Sequence, residues 1–184
     1  MTEDSRVVVA GQIAIVRGSV IDCDTEAIVN AANARLRGGG GIDGAIHAKA
    51  GLKLLLELQR VTRGWTEPGD VVVTGGHDLP HRYIFHAVGP VWRGGESGEP
   101  EALAKCYREC VAHAVRLGIK SIGFCSISTG IYGYPLALAA PLALRTVTDG
   151  LNGANGAIQR VVFAMYGAEE FRIFSETALF PDNP

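Results

Sequence analysis

The sequence predicts an α/β fold in which helices cover both faces of a partly antiparallel sheet. Strand-like and helix-like segments alternate along the 184 residues, and this alternation is typical of a sheet flanked by helices. Two strand-like runs between Val71 and Val88 follow one another without a helix, so part of the sheet is expected to be antiparallel. Apolar residues make up 47% of the chain and charged residues 20%. This balance supports a packed core and argues against disorder.

The predicted strands are short runs of β-branched and other apolar residues. Asn30 is a poor strand former, so it is expected to end the third strand at the carboxyl edge of the sheet. The predicted strands are Val7–Val9, Ile13–Val16, Ala27–Asn30, Val71–Thr74, Tyr83–Val88, Ser121–Ser126 and Val161–Tyr166.

The predicted helices have apolar residues at helical spacing. Pro100 and Pro135 are placed in first turns, where proline is favoured. Pro141 falls inside a predicted helix, which indicates a kink there or a later helix start. The predicted helices are Ala45–Arg60, Pro100–Leu117, Pro135–Asp149 and Glu169–Leu179. Since neither a repeat nor a domain linker interrupts this order, we expect one domain over residues 1–184, with short flexible tails at about residues 1–6 and 181–184.

Charge and cysteine content argue against several classes of function, although a local basic patch and a metal pair at Cys106 and Cys110 stay open. The formal net charge of −2 and the pI of about 6.2 do not give the basic footprint of a nucleic-acid-binding chain. The four cysteines form no CxxC pair, so buried free thiols are expected in preference to a metal site. Reduced thiols, the absence of a signal-peptide pattern and the lack of a membrane-spanning apolar run together predict a cytoplasmic protein. The cysteines are Cys23, Cys106, Cys110 and Cys125.

Two glycine-bearing loops are the strongest candidates for a binding site. Gly38–Gly41 is a run of four glycines before a helix-like segment, and a bare backbone at a helix N-terminus can bind an anion through main-chain N–H groups. The alternative is a flexible connection. Ser126–Pro135 lies between a predicted strand and a helix, which is where ligands bind in open α/β sheets. Neither following helix has a capping box, so its first N–H groups are available to a diphosphate.

Polar residues beside the first loop are candidates for catalytic or binding roles. Asn30 and Asn33 both offer donors and acceptors, although a turn-forming role would explain one of them. Asp43 could act as an acid/base or water-orienting group, or it could cap the helix. His47, one turn later, is expected to be a packed or capping histidine. The remaining histidines show no metal spacing.

These motifs resemble the macro domain family, and most closely its MacroD-type group. The resemblance is carried by Asn30-Ala-Ala-Asn33, by Gly38-Gly-Gly-Gly-Ile-Asp-Gly-Ala-Ile-His47 and by Ser126-Ile-Ser-Thr-Gly-Ile-Tyr-Gly-Tyr-Pro135, with support from His86-Ala-Val-Gly-Pro-Val-Trp92. It runs from about Gln12 to the last helix. It implies a three-layer α/β/α sandwich with a central mixed sheet, and an ADP-ribose cleft over the two loops.

The resemblance also implies roles for individual residues. Asn33 would hold the distal ribose and Asp43 would orient or polarise a water, and this pair would carry the hydrolytic activity. Tyr132 would pack against the distal ribose, and Tyr166 would stack on adenine. Ser19 stands where the family usually has Asp, which would weaken adenine recognition unless Asp22 or a water substitutes. The remaining implied ligand-binding residues are Val20, Gly39, Gly40, Gly41, Ile42, Ser128, Thr129, Gly130 and Ile131.

The implied function is hydrolysis of esters on the distal ribose of ADP-ribose. The enzyme would remove mono-ADP-ribose from acidic side chains and deacetylate O-acetyl-ADP-ribose. A non-catalytic ADP-ribose reader and a regulatory protein-interaction module are the alternatives, and retention of both Asn33 and Asp43 favours the enzyme. The implied partners are ADP-ribose, O-acetyl-ADP-ribose and mono-ADP-ribosylated proteins or nucleic-acid ends, bound by a monomer. No cofactor is implied, and no metal, because the segment from Asn33 to Gly41 lacks the Cys and His ligands of the zinc-dependent branch.

Overall fold

The computed structural model describes residues 7–62 and 64–179 of the chain. The tails expected to be flexible, residues 1–6 and 181–184, lie outside this part of the chain. The strands are β1 Val7–Ala10, β2 Ile13–Arg17, β3 Ala27–Ala32, β4 Val71–Gly75, β5 Tyr83–Val88, β6 Ser121–Phe124 and β7 Arg160–Met165. The helices are α1 Gly41–Ala50, α2 Leu52–Val61, α3 Glu99–Arg116, α4 Leu136–Gly153 and α5 Ala168–Leu179, with a short 3-10 helix at Val20–Asp22.

The described strands form one mixed sheet in the order β1-β2-β7-β6-β3-β5-β4. The five inner strands, from β2 to β5 in this order, run parallel. The outer strands β1 and β4 pair antiparallel with their neighbours. The predicted antiparallel pair between Val71 and Val88 is therefore confirmed. Since the parallel strands share one carboxyl edge, the loops that follow β2, β3, β5, β6 and β7 all gather there.

Helices cover both faces of the sheet, which confirms the expected three-layer sandwich. One apolar cluster joins α3, α4 and α5 to the sheet, with Tyr107, Phe124 and Phe163 among its fully buried side chains. The other joins α1 and α2 to the opposite face, around Ile46 and Leu54. Burial of each large apolar side chain contributes roughly 1.5–3 kcal/mol, so the two clusters together hold the sheet between its helical layers. Within the described residues, no helix is long and apolar enough to cross a membrane.

The predicted single helix Ala45–Arg60 is wrong, because the structure has two helices there. Gly51 lies between α1 and α2 with φ of 79°, a left-handed conformation that glycine adopts without strain. Its N–H donates to the His47 carbonyl and closes α1, and α2 then begins in a new direction. A side chain at this position would also collide with the Asp78 carboxylate.

Three further expectations about the bounds of elements are corrected. Asn30 does not end β3, which continues to Ala32, because its buried amide finds hydrogen-bond partners inside the protein. Pro141 does not delay the start of α4, which begins at Leu136 and passes through it. Strand β6 ends at Phe124, two residues before its predicted end, so Ser126 belongs to the following loop.

Candidate active site

A cavity of about 520 Å³ opens at the carboxyl edge of the parallel strands. This volume is within the usual range for small-molecule sites, roughly 300–1,000 Å³. Its walls come from the loops after β2, β3, β5, β6 and β7, as the topology requires. The cavity is lined by Gly18, Ser19, Val20, Ala31, Ala32, Asn33, Gly39, Gly40, Gly41, Ile42, Asp43, Ala45, Gly89, Cys125, Ser126, Ser128, Gly130, Ile131, Tyr132, Ala164, Tyr166 and Glu170.

The first loop brings bare backbone to the cavity at the start of α1. Gly40 is the N-cap of α1 and supplies no side-chain hydrogen bond, so the first N–H groups of the helix lack a side-chain cap. A Cβ on Gly40 would lie 3.0 Å from the Ile131 Cδ1 of the second loop, and one on Gly39 would lie 3.2 Å from the Asp43 carboxylate. A side chain at either position would crowd a neighbouring group, so the backbone stays bare there. This geometry suits an anionic group lying close to the main chain.

The second loop follows β6 and is shaped by turns. Ser128 has a positive φ of 68°, which is uncommon for a residue with a side chain. Its buried Oγ has no hydrogen-bond partner within the described parts of the chain. The loop is fixed at its far end, where Tyr134 N donates to the Ser128 carbonyl and Trp92 N donates to the Tyr132 carbonyl. A strained backbone and an unpaired buried hydroxyl, in a loop that lines a cavity, are features of a ligand site.

Asp43 is the buried carboxylate of the cavity. It lies in the first turn of α1, it is only 4% exposed, and both of its oxygens accept hydrogen bonds. Asn30 Nδ2 donates to Oδ1 at 2.7 Å, and Asn33 Nδ2 donates to Oδ2 at 3.1 Å. Burial raises the pKa of Asp43, although the bond from Asn30, the nearby His47 and the bond from Asn33 act in the opposite direction. A carboxylate that is raised in pKa yet held by amide donors can orient or deprotonate a water.

Asn33 has both of the roles considered from the sequence, because it makes a turn-forming contact and also contacts other residues of the site. Its Oδ1 accepts from the Arg35 N–H, which is the turn-forming contact of an asparagine. Its Nδ2 donates to the Gly38 carbonyl as well as to Asp43. The side chain therefore ties the end of β3 to the glycine loop and to the carboxylate. Asn33 lines the cavity, so its amide is also near any ligand there.

His47 packs beneath the glycine loop, as expected from the sequence. Its side chain is 13% exposed, and its Nε2 lies 3.5 Å from Asp43 Oδ1. It makes no side-chain cap at the start of α1. A Cβ on Gly38 would press against its ring.

The opposite end of the cavity lies where β2 and β7 end. Tyr166, directly after β7, is 83% exposed and offers a free ring face. Ser19 and Val20 follow β2, which lies beside β7, and Gly18 N donates to the Met165 carbonyl. This arrangement places an aromatic ring beside backbone groups that could read the edge of a planar base.

Ser19 and Asp22 have different positions around the short 3-10 helix. The Ser19 Oγ accepts from the Ile21 N–H at 3.4 Å and caps the helix. Asp22 lies away from the cavity, pairing with Lys49 at 3.6 Å. Asp22 therefore does not substitute for the missing Asp at Ser19, because it lines a separate depression of the surface.

Thr129 is the one predicted site residue that does not line the cavity. Its hydroxyl lies 2.7 Å from Ser126 Oγ and 3.3 Å from Glu170 Oε1. Glu170 was not predicted, yet it lines the cavity and its Oε2 accepts from Gly167 N at 3.0 Å. Glu170 lies in the first turn of α5, and no pattern in the sequence indicated its place in the cavity. The other lining residues that the sequence did not single out are Gly18, Ala31, Ala32, Ala45, Gly89, Cys125, Ser126 and Ala164.

The cysteines are unpaired thiols, as predicted. Cys106, Cys110 and Cys125 are buried, and Cys23 is partly exposed. Burial raises the pKa of Cys106 and of Cys125 to about 12, and that of Cys23 to about 11. No group of three or more His, Cys, Asp or Glu side chains in residues 7–62 and 64–179 is arranged to hold a metal ion.

Comparisons with known proteins agree with this geometry. The family model for the macro domain matches residues 29–143. The O-acetyl-ADP-ribose deacetylase of Cronobacter turicensis is 44% identical over 167 residues, which cover 90% of this chain and 94% of the relative. The Oceanobacillus iheyensis macrodomain with ADP is 35% identical and covers 96% of each chain, with a TM-score of 0.86. The Trypanosoma brucei macrodomain in complex with ADP-ribose is 43% identical and covers 90% of this chain and 68% of that one, with a TM-score of 0.83. The chain belongs to the macro domain family.

Proposed function

We propose that this chain binds ADP-ribose in the cavity and hydrolyses esters on its distal ribose. The substrates would be O-acetyl-ADP-ribose and mono-ADP-ribose attached to acidic side chains. Each reaction consumes one water and yields ADP-ribose and a carboxylic acid. The observation that carries the proposal is the pair Asn33 and Asp43, joined at 3.1 Å at the start of α1 and lining the cavity.

In this proposal, the parts of ADP-ribose lie along the cavity in the order of its lining residues. Adenine would stack on Tyr166 and contact Ser19 and Val20. The diphosphate would lie along the glycine loop and the second loop, where main-chain N–H groups of both loops could meet its oxygens. The distal ribose would then lie at the Asn33 end.

In the proposed chemistry, Asp43 acts in its ionised form. Because two amides donate to its oxygens, the carboxylate has a fixed orientation in the cavity. A water bound beside it would be oriented towards the ester, with the proton accepted by Asp43 or by a substrate phosphate. Tyr132 lines the same end of the cavity and could hold the distal ribose in place. Its pKa is raised, mainly by burial and further by Asp43, so its hydroxyl stays protonated and can donate a hydrogen bond.

Relatives give independent support. The protein of Cronobacter turicensis is named an O-acetyl-ADP-ribose deacetylase, and the Trypanosoma brucei macrodomain binds ADP-ribose. Both are more than 40% identical to this chain. Similarity at this level supports the same ligand and the same ester chemistry.

The proposal is tested by incubating the protein with O-acetyl-ADP-ribose and, separately, with a glutamate-linked mono-ADP-ribosylated protein. Both assays are run with and without EDTA. We expect release of ADP-ribose from both substrates, unchanged by the chelator. Tight binding without release from either substrate would instead identify a reader, and the absence of binding would overturn the proposal.

A further inference from the structure

A chain of buried polar side chains extends from Asp43 into the sheet. Asn30 on β3 lies directly opposite His86 on β5, and its Nδ2 lies 3.1 Å from His86 Nδ1. His86 Nε2 lies 2.9 Å from the Oγ1 of Thr74 on β4. Asn30 and His86 are fully buried and Thr74 is 2% exposed. Neither His86 nor Thr74 lines the cavity, so their polarity is not explained by contact with a ligand.

The donor and the acceptor of each hydrogen bond in this series of side chains can be assigned. The Thr74 hydroxyl donates to the Gly75 carbonyl at 3.1 Å, so its oxygen is free to accept from the His86 Nε2–H. A neutral imidazole carries one proton, so Nδ1 is then bare and accepts from Asn30. The second N–H of the same amide donates to Asp43 Oδ1 at 2.7 Å. Burial lowers the pKa of His86 to about 3, with smaller contributions from His47 and His77, so the ring stays neutral over the working pH range.

Asp43 and the tautomer of His86 together determine which way the Asn30 amide points. Both His86 and Asp43 contact the Nδ2 atom of Asn30. A proton on His86 Nδ1 would face that donor and favour the reversed amide. The reversed amide would place a carbonyl oxygen 2.7 Å from a carboxylate oxygen, and this contact is repulsive unless Asp43 is protonated.

We propose that His86 and Thr74 are positioning residues, which fix the Asn30 amide so that it donates to Asp43 and holds the carboxylate ionised and oriented for hydrolysis. The inference rests on the proposed role of Asp43 in ester hydrolysis. Neither residue touches the substrate. Their effect passes through the Asn30 amide alone.

Other charged or titratable side chains lie around Asp43 and His86 and affect their pKa values, or have their own pKa values affected by Asp43. His47 on α1 lies 3.5 Å from Asp43, and Asn33 donates to it. The charge of Asp43 contributes to the raised pKa of Tyr132 in the second loop and, to a smaller extent, of Cys125 directly after β6. His77, which pairs with Glu57 on α2 at 2.6 Å, acts on His86. Within the described residues, none of these groups forms a hydrogen bond to the Thr74 hydroxyl. Substitution of Thr74 therefore changes the series of hydrogen bonds at the end farthest from Asp43.

The test compares Thr74→Val with Thr74→Ser. Valine has nearly the shape of threonine but no hydroxyl, so it leaves His86 Nε2 without its acceptor and removes the preference for the bare Nδ1. We expect kcat for O-acetyl-ADP-ribose to fall roughly ten- to a hundredfold, as for loss of a hydrogen bond to a charged group. The acid limb of the pH profile should move to higher pH, while KM and ADP-ribose affinity stay within about threefold. Thr74→Ser keeps the hydroxyl and should recover most of the activity.

A second pair of variants acts on the ring itself. His86→Leu removes the acceptor for Asn30, and His86→Asn can return an oxygen near the position of Nδ1. We expect the asparagine variant to recover both the rate and the pH profile in part. Equal losses in the two variants, with losses of thermal stability that parallel the losses of rate and no movement of the acid limb, would show a packing role and overturn the proposal.

A measurement without turnover separates this inference from the proposed function. Nitrogen-15 NMR of the free protein reports the tautomer of His86, and carbon-13 NMR reports the titration of the Asp43 carboxyl. We expect a protonated Nε2 and a bare Nδ1, and a higher Asp43 pKa in Thr74→Val than in the native chain. If the protein hydrolyses no ester but shows these signals, the positioning of Asp43 is supported and the proposed function fails. A protonated Nδ1, or an Asp43 titration unchanged in Thr74→Val, overturns the inference whether or not the protein is active.

Discussion

Asn33 and Asp43, ten residues apart in the sequence, meet at a hydrogen bond of 3.1 Å between Asn33 Nδ2 and Asp43 Oδ2. The contact closes the glycine loop, because Asn33 also donates to the Gly38 carbonyl. A buried carboxylate is thereby held beside a loop whose backbone is open to an anion. The spacing of these two residues is set by the length of that loop, which must pass from the end of β3 to the start of α1.

The pH dependence of the reaction should reveal this contact. Because burial raises the pKa of Asp43, ionised carboxylate is lost as the pH falls, and the loss begins above the range of an ordinary aspartate. Asn33→Ala removes a donor that stabilises the ionised form, so the acid limb of kcat/KM should move to still higher pH. Profiles over roughly pH 4 to 8 would show it. Asn152→Ala, at an exposed position near the end of α4, is the control. An acid limb that moves to lower pH in Asn33→Ala would contradict the assignment.

Gly40→Glu should abolish ADP-ribose binding while leaving the protein folded. The Gly40 backbone has φ of −91°, which any residue can adopt. A side chain there would fill the gap towards Ile131, and its carboxylate would repel the diphosphate. Calorimetry with ADP-ribose gives the affinity, and circular dichroism reports the fold.

Gly153→Glu adds the same charge at an exposed site in the last turn of α4, with open space around it. It should bind ADP-ribose as the native chain does. Unchanged affinity in a folded Gly40→Glu protein would mean that the glycine run is only a connection.

Much of this architecture follows from local patterns in the sequence. The alternation of strands and helices, the antiparallel β4–β5 pair and the position of both loops were predicted, because each depends on segments close together in the chain. The break at Gly51 was missed, because the apolar spacing continues across it. That glycine is required by its positive φ and by the carboxylate of Asp78, which is distant in sequence.

The cavity residues likewise divide into those that local patterns predict and those that depend on residues distant in sequence. Thirteen of the fourteen predicted residues line it and Thr129 does not, since its hydroxyl turns towards Ser126 and Glu170. Asn30 was expected at a strand end, but its place inside β3 depends on His86 and Asp43, which lie on other elements. The contribution of Glu170 likewise depends on how α5 packs beside the second loop. Contacts of this kind are fixed by tertiary packing, and no local pattern encodes them.

Ser19→Asp should tighten ADP-ribose binding several-fold. An ionised acceptor makes a stronger bond to the adenine amino group, roughly 1.5–3 kcal/mol against about 0.5–1.5 for a neutral one. Aspartate is also a good N-cap, so the 3-10 helix that Ser19 caps should remain. Titration with ADP-ribose and with its inosine analogue, which has no amino group, measures the difference.

The inosine analogue should bind Ser19→Asp much as it binds the native chain. Asp22→Asn serves as a second control, because Asp22 lies outside the cavity and should not affect either ligand. Weaker or equal ADP-ribose binding by Ser19→Asp would show that another group already reads the adenine edge.

Tyr166→Ala should weaken ADP-ribose binding roughly five- to 150-fold, because stacking of a base on an aromatic ring is worth about 1–3 kcal/mol. The ring is 83% exposed and supports little of the core, so the free energy of unfolding should hardly change. Tyr166→Phe keeps the ring and should retain the affinity. Equal affinity in all three proteins would place adenine elsewhere.

The central claim is that Asp43 serves the reaction and not the binding of ADP-ribose. The most direct measurement compares Asp43→Ala with the native chain, using single-turnover hydrolysis of O-acetyl-ADP-ribose and calorimetric titration of ADP-ribose on the same preparations. We expect hydrolysis to fall about 10²–10⁴-fold, as for loss of a general base, while a substantial part of the affinity remains. Near-native hydrolysis by the alanine variant would contradict the account.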